Sequence, residues 1–332
     1  MSLPDAMRSG PMRFGLKLAV SVALLWLIVQ KLDLADLAAK VKTVSPGGAL
    51  LVVAALLMQS VVASLRWEWI IRVMGHHFPF AAALRAWLIG QFLGQGFPST
   101  IGHDAYRVMS LRGSGIPATA AFEIIVLDRL TGVVALVLLA AATLPLLFHL
   151  ASDTAPLFPL VLLIGGGMLA TVLLLGPFSL PGLLERYPRL AIVSRFRANL
   201  RRLVATRHSV AWVLVPALAA HLLSVLAAYV IARDAGTRFG FVQCLAIIPP
   251  AILVSLIPLS IAGWGIREGS VVAAALLLGI PAADALLVSI VLGLGFLAVG
   301  MIGGLVWLIG GGVRPAPAGG DAARPREASQ DG

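Results

Sequence analysis

The sequence predicts an all-α polytopic membrane protein: about six spanning helices plus two re-entrant helical hairpins in an inverted-topology repeat. Three observations point there. The 332 residues are 59% hydrophobic and 12% charged, with a mean hydropathy of +0.97, against roughly 45 to 50% and about 25% in soluble domains. Apolar runs of membrane-spanning length recur along the chain. A stretch at Pro98 to Arg107, PSTIGHDAYR, has a twin at Pro258 to Arg267, PLSIAGWGIR. Each copy is followed by a Gly-Ile-Pro-Ala turn, Gly115 to Ala118 and Gly279 to Ala282, and then by a long apolar segment. Recurrence of this kind marks an internal repeat.

Residues 1–13, with Arg8 and Arg13, are expected to form a cytoplasmic N-terminus. A span needs about 20 mostly apolar residues. Phe14 to Gln30, Gly48 to Leu65, Thr119 to Leu150, Leu157 to Gly176, Val210 to Ala232 and Asp284 to Ile309 meet that requirement. No small-residue cleavage pattern follows the first run, so it is expected to be a span and not a signal peptide. Ala81 to Gly115 and Phe241 to Ile280 are also apolar, but Pro and Gly interrupt them. Proline removes a helical donor, and non-helical backbone at membrane depth survives only where protein or a cavity satisfies it. Both are therefore expected to be hairpins, with Pro98, Gly102 and His103 at one tip and Pro258, Ser260, Gly263 and Gly265 at the other. The units are a first membrane repeat at 14–150, a second at 157–309 that includes a basic linker at 177–209, and a disordered cytoplasmic tail at 310–332.

The formal charge of +10 lies mostly in short loops, where it orients the chain; no nucleic-acid partner is expected. The linker carries Arg186, Arg189, Arg195, Arg197, Arg201, Arg202 and Arg207, whereas the loop around Ser152 to Pro156 carries no Lys or Arg. The linker is thus assigned to the cytoplasm and the loop to the opposite side. Extending the alternation puts the Arg66 to Arg85 segment and the C-terminal tail inside. One hairpin then opens to the cytoplasm and the other to the outside. Inverted repeats with broken helices meeting near mid-membrane are an architecture of secondary transporters.

Charges inside the apolar runs mark the candidate site. Glu123, Asp128 and Arg129 fall within a span, where an ionised side chain costs about 2.5 to 3.5 kcal/mol on insertion scales. They must face the protein interior. In one reading they neutralise one another to fix helix packing. In the other, Arg107, Arg129 and Arg267 offer guanidinium forks to a phosphate, and Asp104, Asp128, Glu268 and Glu123 are the supporting charges. Gly263 and Gly265 flank Trp264, either as an anion-binding backbone nest or as a tight bend. His103, beside Asp104, is either a proton relay or a polar tip residue. The linker from Arg186 to Arg207 alternates arginines with Leu190, Ile192, Val193 and Phe196, which suits the surface of an anionic leaflet. Triple-glycine Gly165 to Gly167 and the Gly300 to Gly304 group suit close helix contacts. Cys244 is the sole cysteine, and His76 and His77 lack a third ligand at metal spacing. No metal and no cofactor are expected, and without a Ser-His-Asp set, a Walker motif or Gly-x-Ser-x-Gly no catalytic residue is assigned.

The pattern Pro98-x-x-x-Gly102-x-Asp104-x-x-Arg107, then Asp128-Arg129-x-x-Gly132, then Pro258 with Gly263-x-Gly265-x-Arg267-Glu268, resembles the flippase-like membrane family related to the transmembrane region of lysylphosphatidylglycerol synthases. The resemblance runs from about Phe14 to Ile309. It implies a multi-pass protein of the bacterial inner membrane that handles a membrane lipid, an anionic phospholipid or a lipid-linked phosphate. Only a short tail follows Ile309, so the aminoacyl-transferase domain of the synthases is expected to be missing. The expected function is lipid translocation. The alternatives are an integral-membrane transferase acting on a lipid phosphate, with Asp104, Asp128 or Glu268 as general base, and a non-catalytic partner of a lipid-modifying enzyme in lipid, hopanoid or glycan-lipid synthesis.

Overall fold

The structure, a computed structural model, describes residues 42–96, 101–176, 191–205, 207–256 and 264–310. These residues are helical, with no strand among them. In chain order the helices are α1 (Pro46–Val73), α2 (Phe80–Gly96), α3 (Ile101–Gly113), α4 (Ala118–Leu150), α5 (Phe158–Leu175), α6 (Ala191–Leu203), α7 (Arg207–Asp234), α8 (Phe241–Ser255), α9 (Ile266–Leu277) and α10 (Ala282–Gly310). Five stretches are long and apolar enough to cross a membrane: Pro46–Val73, Ala118–Leu150, Ala155–Leu175, His208–Asp234 and Ala282–Gly310. They coincide with five of the expected spans. The expected first span, at Phe14 to Gln30, and the tail at 310–332 lie outside the described residues, apart from Gly310. Large apolar side chains such as Leu50, Leu162, Val215 and Leu305 are exposed, the surface expected of helices solvated by acyl chains.

Local chemistry sets the helix ends. Ser45 caps α1, its Oγ accepting the Gly48 N–H at 3.0 Å, and Pro46 occupies the first turn, where its missing donor costs nothing. The C-terminal ends of α1, α3, α7 and α9 turn at Gly75, Gly115, Gly236 and Gly279, all at positive φ. Each is closed by the same bond pattern, seen in His76 N–H to the Ile71 carbonyl and Ile280 N–H to the Ala275 carbonyl. Glycine adopts that left-handed backbone without a Cβ clash. The twin Gly-Ile-Pro-Ala turns therefore do the same job in both halves.

Packing repeats as well. α1 lies against α7. α2 packs on α10, and α8 on α4. α2 pairs with α3, and α8 with α9; α3 meets α4, and α9 meets α10. Exchanging α1 to α4 for α7 to α10 leaves this set of partners unchanged. The two interrupted apolar regions are α2 with α3 and α8 with α9, each a pair of short helices packed on one another. The α2 to α10 seam is tight: a Cβ on Gly303 would lie 1.9 Å from the Leu88 carbonyl oxygen. Gly300 and Gly304 likewise abut Gln95 and Phe92, and Gly167 abuts Val137, whereas Gly165 and Gly166 meet nothing within 4 Å. The expectation of close contacts is thus met at Gly167 and on α10 but not at those two glycines.

One helix boundary differs from the expected one. The span expected to end at Leu65 continues as α1 through Arg66 and Arg72 to Val73, and Arg66 is buried. The basic linker also does more than carry charge. Arg197 on α6 donates to the carbonyls of Leu174 at 3.3 Å and Gly176 at 2.8 Å, and Arg201 donates to Gly176. These guanidiniums satisfy the open carbonyls and the negative dipole end of α5.

Candidate functional site

The first-half charges converge where α1, α3 and α4 meet. One turn of α3 projects Asp104 and Arg107 on the same face, α4 supplies Asp128 and Arg129, and α1 supplies Arg66. The Asp128 carboxylate lies between two guanidiniums. Its Oδ1 accepts from Arg66 Nε at 3.0 Å, with Arg66 Nη2 at 2.8 Å, and its Oδ2 accepts from Arg107 Nη2 at 2.7 Å. Asp128 and Arg107 are 2% and 1% exposed. Arg129 Nε donates to Asp104 Oδ2, and this pair is more open, at 40% and 23%. Among the described residues three guanidiniums face two carboxylates, which leaves one positive charge in excess. A single removal from such a buried set strands its partner, which costs more than the pair is worth.

The neighbouring backbone makes room for these side chains. At Gly132, one turn beyond Asp128, a Cβ would stand 3.4 Å from Arg66 Nη1, and the Gly132 carbonyl faces His221 Nε2 at 3.1 Å. At Gly90 on α2 a Cβ would approach His103 Cδ2 to 2.8 Å. Arg107 is further walled by indoles: its Cζ is 4.1 Å from the Trp67 ring centre and 4.4 Å from that of Trp87. Guanidinium over an aromatic face is favourable, and more so when desolvated.

The second half is built differently. Arg267 opens α9 and donates to Glu268 Oε1, from Nε at 3.0 Å and from Nη2 at 2.5 Å. Ser289 of α10 lies between them, its Oγ 3.3 Å from Arg267 Nε and donating to Glu268 Oε1 at 3.2 Å. Glu268 Oε2 accepts the Gly265 N–H at 2.6 Å, and Gly265 holds φ at 87°. That amide is committed to capping α9, so at Gly265 the bend has the geometric support and the anion nest does not. A Cβ on Gly293 would fall 2.3 Å from Arg267 Nη2, so this glycine leaves the space the arginine fills. The pair is neutral and self-contained.

The structure therefore joins Arg107, Asp128, Asp104 and Arg129 in one cluster and keeps Arg267 with Glu268 in another. No hydrogen bond or ion pair links the two among the described residues. Glu123 does not enter the first cluster; its Oε2 accepts from Asn199 Nδ2 of α6 at 3.4 Å. Gly102 is buried, and His103 Nδ1 is 3.5 Å from Asp104 Oδ1. Pro98, Pro258, Ser260 and Gly263 lie outside the described residues. Sequence reasoning missed Arg66, Trp67, Trp87 and Ser289. An arginine beside two tryptophans in Arg66-Trp67-Glu68-Trp69, directly after an apolar run, was the available signal. Among the described residues no three His, Cys, Asp or Glu side chains gather as a metal site.

The sequence model of the family described as lysylphosphatidylglycerol synthase TM region matches residues 15–311. A comparison with curated proteins finds no match.

Proposed function

The chain belongs to the lysylphosphatidylglycerol synthase transmembrane-region family, and on that premise we propose that it translocates a lipid with an anionic phosphate headgroup across the bacterial inner membrane. The observation that carries this reading is the excess positive charge of the cluster made by Arg66, Arg107, Arg129, Asp104 and Asp128. Guanidinium forks match phosphate geometry. Arg129, the most open arginine of the cluster, makes the first contact by exchanging Asp104 for a phosphate oxygen. Arg107 supports it from behind, and Arg267 completes the path from the second half once it is released from Glu268.

The interchangeable packing of α1 to α4 and α7 to α10 supports an inverted-topology repeat, with the pairs α2 with α3 and α8 with α9 as re-entrant hairpins. Two equivalent halves offer two faces to a substrate in turn. Acyl chains stay in the bilayer while the headgroup crosses along the protein interior. Mass spectrometry of lipid that co-purifies with the chain tests the reading. Anionic phosphate lipid should be enriched over the bulk membrane, and the enrichment should fall in Arg129→Ala. A lipid profile identical to the membrane would contradict it.

A further inference from the structure

The exchange that maps α1 to α4 onto α7 to α10 leaves α5 over. α5 precedes α7 as the apolar run Phe14 to Gln30, outside the described residues, precedes α1. It packs on α4: Leu136, Val137 and Ala140 of α4 form one apolar cluster with Ile164 of α5, and Ala141, Leu144 and Met168 lie against it. A Cβ on Gly167 would lie 2.9 Å from Val137 Cγ2, so the two helices meet closely there. Superposing the twin turns, Gly115 to Ala118 on Gly279 to Ala282, sets α4 and α10 in register. Val137, Ala141 and Leu144 then fall on Met301, Leu305 and Leu308. Val137 is 2% exposed and Ala141 and Leu144 are half-buried, whereas Met301, Leu305 and Leu308 are 55%, 57% and 75% exposed. One turn earlier the difference vanishes: the corresponding Val133 and Leu297 are 37% and 39% exposed.

Met301, Leu305 and Leu308 share one face of α10 at helical spacing, and no described residue covers that stripe. We propose that the run Phe14 to Gln30 docks on it, antiparallel to α10, as α5 docks on α4. The chain path favours this occupant. The residues after the run lead into α1, which already packs on α10 with Val52 and Leu56 against Gly295. As a helix the run is about 25 Å long, which matches α5, and its one charged residue is Lys17. Helices in lipid associate through close packing, since acyl chains solvate apolar side chains equally well. Placing Phe14 on Phe158, the first residue of α5, puts Ala23 on Gly167. A small residue then faces a large one in both halves, Gly167 against Val137 and Ala23 against Met301. The contact does not depend on the lipid reading; it gives α4 and α10 one flanking span each.

Disulfide trapping in membranes tests the contact, in the full chain carrying Cys244→Ala so that only introduced thiols remain. Met301→Cys is paired in turn with Ser21→Cys, Val22→Cys, Ala23→Cys and Leu24→Cys, and linked peptides are identified by mass spectrometry. Side chains half a turn apart on a helix point to opposite sides, so the best of the four should give about fivefold or more intrachain link than the worst. Moving the partner cysteine from Met301 to Leu162, on the open face of α5, should bring every pair to background. A second readout needs no bond: a nitroxide on Met301→Cys should collide with dissolved oxygen less often than one on Leu162→Cys. No intrachain link from any of the four pairs, equal links to position 162, or equal oxygen collision at both sites overturns the proposal. Links between chains through Met301→Cys alone overturn it as well, by making the stripe a contact between copies.

Discussion

Arg107 and Asp128 meet at 2.7 Å across the α3 to α4 interface, and Arg66 reaches the same carboxylate from α1. One aspartate therefore ties three helices from distant parts of the chain, and its charge is what keeps two buried arginines tolerable.

Asp128→Asn keeps the shape and removes the charge, leaving Arg66 and Arg107 buried with like sign. Breaking a buried pair by removing one partner costs about 3 to 5 kcal/mol, so thermal unfolding in detergent should occur at clearly lower temperature. Arg66→Met leaves the Arg107 to Asp128 pair intact and neutral, and should destabilise less. Equal shifts for both variants would mean that the carboxylate does not serve two guanidiniums.

At the open edge of the cluster the expectation is functional. Losing a charge-assisted bond typically costs about 1.5 to 3 kcal/mol, so Arg129→Ala should weaken binding of an anionic phospholipid about tenfold or more at matched protein abundance. Arg129→Lys should recover only part of that, because an ammonium lacks the planar fork. Unchanged affinity in both variants would make Arg129 a packing charge.

Topology can be read from cysteines placed where the structure exposes the side chain. Asp153 and Arg238 are exposed, as is Arg202, whereas Arg197 is buried as a cap of α5. The native Cys244 is buried and should not react. An impermeant maleimide should label Asp153→Cys and Arg238→Cys from outside the cell, and Arg202→Cys only after lysis. Outside labelling at position 202 would reverse the assignment drawn from the basic linker.

Hydropathy made the long helices legible, and Pro and Gly marked the breaks between α2 and α3 and between α8 and α9. The twinned Gly-Ile-Pro-Ala turns were readable because a positive-φ cap demands glycine in both places. The burial of Arg66 was not legible, because a charged residue at the edge of an apolar run reads as the end of the span. Its charge is met by Asp128, 62 positions away, and pairing at that distance leaves no local trace. The role of Trp67 and Trp87 was hidden for a related reason: a tryptophan in an apolar segment looks like core until the arginine against it is located. Arg107 and Arg267 looked equivalent by register, yet Asp128 lies opposite one and Ser289 and Gly293 opposite the other. The repeat pattern alone does not distinguish them.

The most direct measurement is leaflet exchange in vesicles reconstituted with the full chain and a trace of labelled anionic phospholipid, followed by bleaching of the outer-leaflet label and mass analysis of the lipid. The account predicts that inner-leaflet label becomes accessible faster than in protein-free vesicles, more slowly in Arg129→Ala, and with the lipid's mass unaltered. Exchange no faster than in protein-free vesicles, or a change in lipid mass that depends on Asp104, Asp128 or Glu268, would contradict it.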